Sequence, residues 1–176
     1  MARTGTGVGH CPTSNMRLGS GIAPIRKMLD AGVPVGLGVD GSASNDSSDM
    51  LGELRSCLLV HRTASGVGSM PAADVFRMAC RGGARVLGRD DIGRIAPGKA
   101  ADLAVFRVDT IDFAGSLSDP VAALLFCGSS HRCQWTIVNG HVVVENGKLA
   151  HHDEARLAAR ANEIARALLE KKAAAS

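Results

Sequence analysis

The sequence predicts an α/β chain in which β/α units come first, a small β-rich region follows, and a helix closes the chain. Three observations carry this prediction. Val35 to Val39 is a nearly unbroken run of Val, Leu and Gly without polar alternation, the pattern of a parallel strand covered on both faces. It completes a strand–helix–strand order with short connections, which is the βαβ unit. After residue 88 the character changes: turn-forming residues separate short β runs, including Asn139-Gly140 between two apolar stretches.

Each element has its own signal. Residues 4 to 9 form a short Gly-rich strand that ends at His10-Cys11-Pro12, where Pro12 stops regular pairing and Thr13-Ser14-Asn15 reads as a polar loop. Ile22 to Ala31 reads as a helix, with Pro24 near its first turn, Ile25, Met28 and Leu29 on one face, and Gly32 as its break. Gly41 to Asp49 is a long polar loop. Ser48 or Asp49 caps a helix from Met50 to about His61, on which Leu51, Leu54 and Leu58 recur at spacings of three and four. Pro71 opens a helix to Cys80, and a short helical piece follows Gly82-Gly83. Ala101 to Arg107 reads as a strand, and Trp135–Val138 with His141–Glu145 as a hairpin, with a second turn at Asn146-Gly147. His152 to about Lys172 is an Ala/Leu/Arg/Glu helix of amphipathic character with a fraying end.

Composition narrows the function classes. A length of 176 residues is about one domain's worth, and 45% hydrophobic residues suffice for a core built from Ala, Val, Leu, Ile and Met, since aromatics are only 3%. The charge of +3 comes without a basic block or interleaved aromatics, which argues against nucleic acid as a partner. No apolar run is long enough for a membrane span. Five cysteines, an odd number without CxxC spacing, point to a reducing cytoplasm and small core thiols rather than a disulfide framework.

Asp40 is the leading chemical candidate. It follows a buried-type strand and opens a Gly/Ser/Asn-rich loop, and strand C-terminal ends carry the active sites of β/α barrels. It reads as a metal ligand that also takes a proton from attacking water, or as a loop carboxylate bonded to the amides of residues 41 to 43. His10 sits at a strand end one βα unit upstream, as a ligand, a substrate contact, or a histidine tied to backbone. Asn15, with Ser14, fixes the loop or binds a substrate carbonyl or ring nitrogen. Asn45, Asp46, Asp49 and Glu53 read as loop, cap and structural residues. The other histidines, His61, His131, His141, His151 and His152, are scattered, with no HxH and no HExxH pattern. A catalytic zinc takes about three protein ligands, and the visible pieces do not assemble a complete set.

The motifs together carry a resemblance. His10-Cys11-Pro12-Thr13-Ser14-Asn15-Met16-Arg17-Leu18, Gly21-Ile22-Ala23-Pro24 and Gly36 to Asp46 resemble the amidohydrolase superfamily, in the chlorohydrolase and aminohydrolase branch. That branch includes 8-oxoguanine and S-adenosylhomocysteine deaminases and triazine hydrolases. Thr4 to Gly7 and Gly38 to Ser42 are most like the 8-oxoguanine deaminases, although Thr13 stands where many of those have Cys. Gly93 to Leu103 and Val138-Asn139-Gly140 resemble the small β domain of the same superfamily.

The resemblance implies a partial (β/α)8 TIM barrel comprising the last two βα units, over residues 1–88. The C-terminal share of a small β-sandwich would follow over 89–150, then a helix and tail over 151–176. It implies one divalent metal, zinc with iron as the alternative, with Asp40 as the strand-eight ligand and His10 and Asn15 shaping the substrate site. The remaining ligands and the catalytic glutamate have no matching positions, so the chain reads as a C-terminal fragment, inactive alone, of a homo-oligomeric cytoplasmic enzyme. The implied reaction is hydrolytic deamination of a purine-like or other N-heterocycle such as 8-oxoguanine. Dechlorination or alkylamine release from a triazine-like ring is the alternative, and a non-catalytic, self-associating domain is the third reading.

Overall fold

The computed structural model describes residues 1–128 and 131–174; the last two residues of the anticipated tail, 175 and 176, lie outside it. Strand β1 (Val8–His10) leads into α1 (Pro12–Leu18), α2 (Ile25–Asp30) and β2 (Val35–Leu37). The two strands pair in parallel, Val8 against Val35 and His10 against Leu37. This is the anticipated βαβ unit, and Val35 is buried as a two-faced strand requires.

Helix α3 (Met50–Ser65) starts at Asp49, whose carboxylate accepts the Gly52 amide at 3.1 Å, so of the two candidate caps Asp49 rather than Ser48 is used. Its buried face carries Leu51, Leu54, Cys57 and Leu58. These residues pack with Ile25, Val35, Met70 and Val75 into one core. Helix α6 (Pro120–Phe126) closes that core, placing Leu125 in it and Arg62 over the Phe126 ring at 5.3 Å.

Five local expectations change. The strand expected over residues 4 to 9 is only Val8–His10, since Ala2–Thr4 forms a 3-10 turn that ends at Gly5 in the left-handed region. Thr13-Ser14-Asn15 is helical rather than loop. Pro12 ends β1 but opens α1, because a missing amide hydrogen costs nothing in a helix's first turn. The second helix starts at Ile25, three residues late, behind Pro24. The strand Val35–Val39 stops at Leu37. Gly82-Gly83 is not a break: α4 (Ala72–Arg77), a π-helical turn (Met78–Gly82) and α5 (Gly83–Val86) follow one another directly. Gly82, with Gly36 across from it, is there for proximity. A Cβ on Gly82 would lie 2.0 Å from the Val35 carbonyl oxygen, and one on Gly36 would lie 2.9 Å from Gly83 Cα.

The second sheet runs β3 (Leu103–Val105), β4 (Trp135–Val138), β5 (His141–Glu145) and β6 (Lys148–Leu149), all antiparallel. Asn139 and Gly140 form the β4–β5 turn with φ of 48° and 81°, the left-handed pair that Asn-Gly supplies. Asp102 accepts the Asn139 amide at 2.7 Å and ties this turn to the start of β3. Helix α7 (Glu154–Ala174) ends the chain and lies exposed. The layout is thus two β/α units of a barrel, a small antiparallel sheet and a terminal helix, as the sequence predicts.

Candidate functional site

The site is built on the ends of β1 and β2. Asp40 lies three residues past β2 in the left-handed region, φ 63°, a conformation Asp tolerates better than most residues. This turns the chain out of the strand and into the loop. Its side chain is exposed and held by three donors. Oδ1 accepts the Gly41 amide at 2.7 Å; Oδ2 accepts the hydroxyls of Ser14 at 2.6 Å and Ser44 at 2.9 Å. These bonds, Ser14 foremost, hold its carboxyl below the usual aspartate range. A carboxylate accepts at about four positions, so roughly one remains open to a cation. The group therefore fits a single-point metal ligand, pre-oriented and ionised at neutral pH.

Helix α1 supplies Ser14 because Glu53 holds that helix in place. Cys11 offers no side-chain cap, and the buried Glu53 of α3 reaches the Thr13 amide at 3.2 Å instead. A negative charge at a helix start is favourable. The other oxygen of Glu53 accepts from Asn45 Nδ2 at 2.7 Å, and Asn45 Oδ1 takes the Ser47 hydroxyl at 2.9 Å. One buried carboxylate thus joins α1, the loop after Asp40 and α3. The sequence marks Glu53 and Asn45 only as structural and loop residues; their long-range partnership is invisible in local spacing. Asn15 lies half-buried on α1, next to Ser14.

His10 faces inward, 3% exposed, and meets a residue the sequence leaves unassigned. Its Nε2 lies 3.1 Å from His61 Nε2, with ring centroids 5.1 Å apart and tilted by 49°. Burial, then His61, lowers His10 to about 4; burial lowers His61 as well. Both rings are neutral at pH 7, one donating and the other accepting. Cys57 completes the group: the ligand atoms of His10, Cys57 and His61 all lie within 4.8 Å of one another. They offer three donors for a single divalent ion, one short of a closed tetrahedral set. The available signal was Glu53 and His61 on the otherwise apolar face of α3, polar residues where a core position was due. Burial, followed by Asp40 and Glu53, pushes the Cys11 thiol up, which favours its neutral form.

The model of the amidohydrolase family matches residues 1–143. The chain belongs to the amidohydrolase family. An 8-oxoguanine deaminase from Pseudomonas aeruginosa is 47% identical over 169 residues, covering 96% of this chain and 37% of that protein. A hydroxydechloroatrazine ethylaminohydrolase from Pseudomonas sp. (strain ADP) is 38% identical over 172 residues, with 96% and 36% covered. The crystal structure of an atrazine chlorohydrolase from Arthrobacter aurescens TC1, complexed with zinc, superposes with a TM-score of 0.87 at 41% identity over 92% of this chain and 36% of that one. The amidohydrolase chain thus spans little more than a third of the length of these relatives. No helix among its described residues is long and apolar enough to cross a membrane.

Proposed function

We propose that this chain is the Asp40-bearing sector of a metal-dependent hydrolase that replaces an exocyclic substituent on an N-heterocycle with hydroxyl. The observation that carries the reading is Asp40 itself: an ionised carboxylate just beyond a parallel strand, oriented by Ser14, Gly41 and Ser44. When bound, zinc would supply a water that loses its proton near neutral pH. Asp40 would hold the ion by its open lone pair, accept the proton of the attacking water, and pass it to a departing amine or ammonia, or to solvent where chloride leaves as the anion. Ser14 and Ser44 keep that carboxylate aimed throughout. Asn15, half-buried beside Ser14 on α1, shapes the substrate site directly, and His10, buried at the end of β1 against His61, supports it from behind.

For the leaving group, the zinc-bound chlorohydrolase and the ethylaminohydrolase favour a triazine-like ring that loses chloride or an alkylamine. The 47% identity to an 8-oxoguanine deaminase supports a second reading, loss of ammonia from a purine-like ring. Asp40 serves the same step in each. The test is a panel of chloro-, alkylamino- and amino-substituted triazines and aminopurines, offered with zinc to a polypeptide that joins this chain to the remaining barrel units. Chloride or amine release that falls by about 10²–10⁴-fold in Asp40→Asn supports the role. Undiminished turnover in that variant removes it, and the preferred ring decides between the two readings. The 176-residue chain alone is expected to be inactive on every member of the panel.

A further inference from the structure

We infer that His10, Cys57 and His61 form a second cation site, buried, for a zinc-class ion, separate from the Asp40 carboxylate. The two sites differ in place and in chemistry. Asp40 is exposed and offers hard oxygen; the trio is 3%, 0% and 4% exposed and offers two imidazoles and a thiol. Borderline-soft ions choose the second set. Among the described residues this is the group of three or more ligating side chains with all donor atoms in mutual reach, and Asp40 is not part of it.

The backbone explains why the three converge. Cys57 and His61 stand one turn apart on α3, the four-residue spacing that puts two ligands on one helix face. His10 ends β1, and its ring meets His61 of that face at 3.1 Å. Zinc bond lengths of about 2.0–2.1 Å to nitrogen and 2.3 Å to sulfur put tetrahedral ligand atoms about 3.3–3.6 Å apart. The two nitrogens, at 3.1 Å, are already near that spacing. The thiol, within 4.8 Å, needs a shift of up to about 1.2 Å.

Loading balances simply. The Cys57 S–H bond breaks, a sulfur–metal bond forms, and the proton leaves to water. The imidazole hydrogen shared between the two Nε2 atoms moves to Nδ1 of its own ring, freeing both lone pairs. In the absence of the ion the His10–His61 hydrogen bond satisfies the rings, and no described buried side-chain polar atom is left unpartnered. The metal-free site therefore leaves neither ring with a buried, unpaired nitrogen at this contact.

The reduced 176-residue chain, cleared of metal by chelation, is titrated with Co²⁺ and followed by absorption. The expected result is a thiolate-to-cobalt charge-transfer band that saturates at a single equivalent. The band should persist in Asp40→Asn and disappear in Cys57→Ala. It should also survive replacement of Cys11, Cys80, Cys127 and Cys133 together by Ser, which keeps the inference testable should Cys57→Ala fail to fold. No band in the wild type, a band that survives Cys57→Ala, or a band lost in the folded quadruple variant each overturns the site.

Discussion

Asp40 is held by hydroxyls whose removal has a readable effect. Ser14→Ala deletes the first of the bonds that lower its carboxyl, so the Asp40 titration moves back toward the ordinary aspartate value; carbon-detected NMR of the side chain measures it. His10 makes a second prediction. Its folded value of about 4 lies below the ordinary 6.5, so the unfolded chain binds the extra proton first and folding opposes protonation. The contribution is complete above pH 6.5 and is lost as pH falls through about 4, on the order of 3 kcal/mol in all. Urea unfolding of the metal-free chain between these pH values should show the loss, and His10→Gln should flatten it. Asp40 was legible in the sequence because an apolar strand delivered it into a small-residue loop. His61 and Cys57 were not, because nothing in the chain places a mid-helix residue against a strand end fifty residues earlier.

At the scale of elements, the approach of the α4–π–α5 segment to β2 is set by missing side chains. Gly82→Ala puts a methyl into the Val35 carbonyl and should destabilise by about 3 kcal/mol or more, since backbone must move. Gly83→Ala meets open space in the same helical run and should be neutral or stabilising by about 0.5–1 kcal/mol. Denaturant midpoints of the two variants make the comparison; equal losses would contradict the packing described. The sequence separates a helix ending at Cys80 from a helical piece after Gly82-Gly83; the structure runs them together through a π-helical turn, because Gly82 allows the close approach to β2. By contrast the Asn139-Gly140 hairpin and the Asp49 cap were readable, since both are settled by a few adjacent residues. Glu53 is an intermediate case: its place on the helix was plain, its cross-chain cap was not. Glu53→Ala should cost about 1–3 kcal/mol, because Asn45 and the Thr13 amide lose a buried acceptor together.

For the whole molecule, the two-stranded parallel sheet has two open edges, and α7 carries Leu157, Ile164 and Leu168 into solvent at spacings of seven and four. Such edges and faces associate. Sedimentation velocity should show mass growing with concentration, reduced by Leu157→Glu with Leu168→Glu; a monodisperse chain at every concentration would contradict it. The barrel character was legible only through the motifs, since two β/α units do not by themselves distinguish a barrel from an open sheet.

The left-handed backbone at Asp40 has a practical bearing on how its chemistry can be silenced. Alanine, the habitual replacement, disfavours that conformation by about 1 kcal/mol and would disturb the turn while removing the charge. Asparagine keeps the turn and discards the charge; glycine keeps the turn and discards the whole side chain. A trio of variants at this one position therefore separates what the loop owes to its shape from what it owes to its carboxylate.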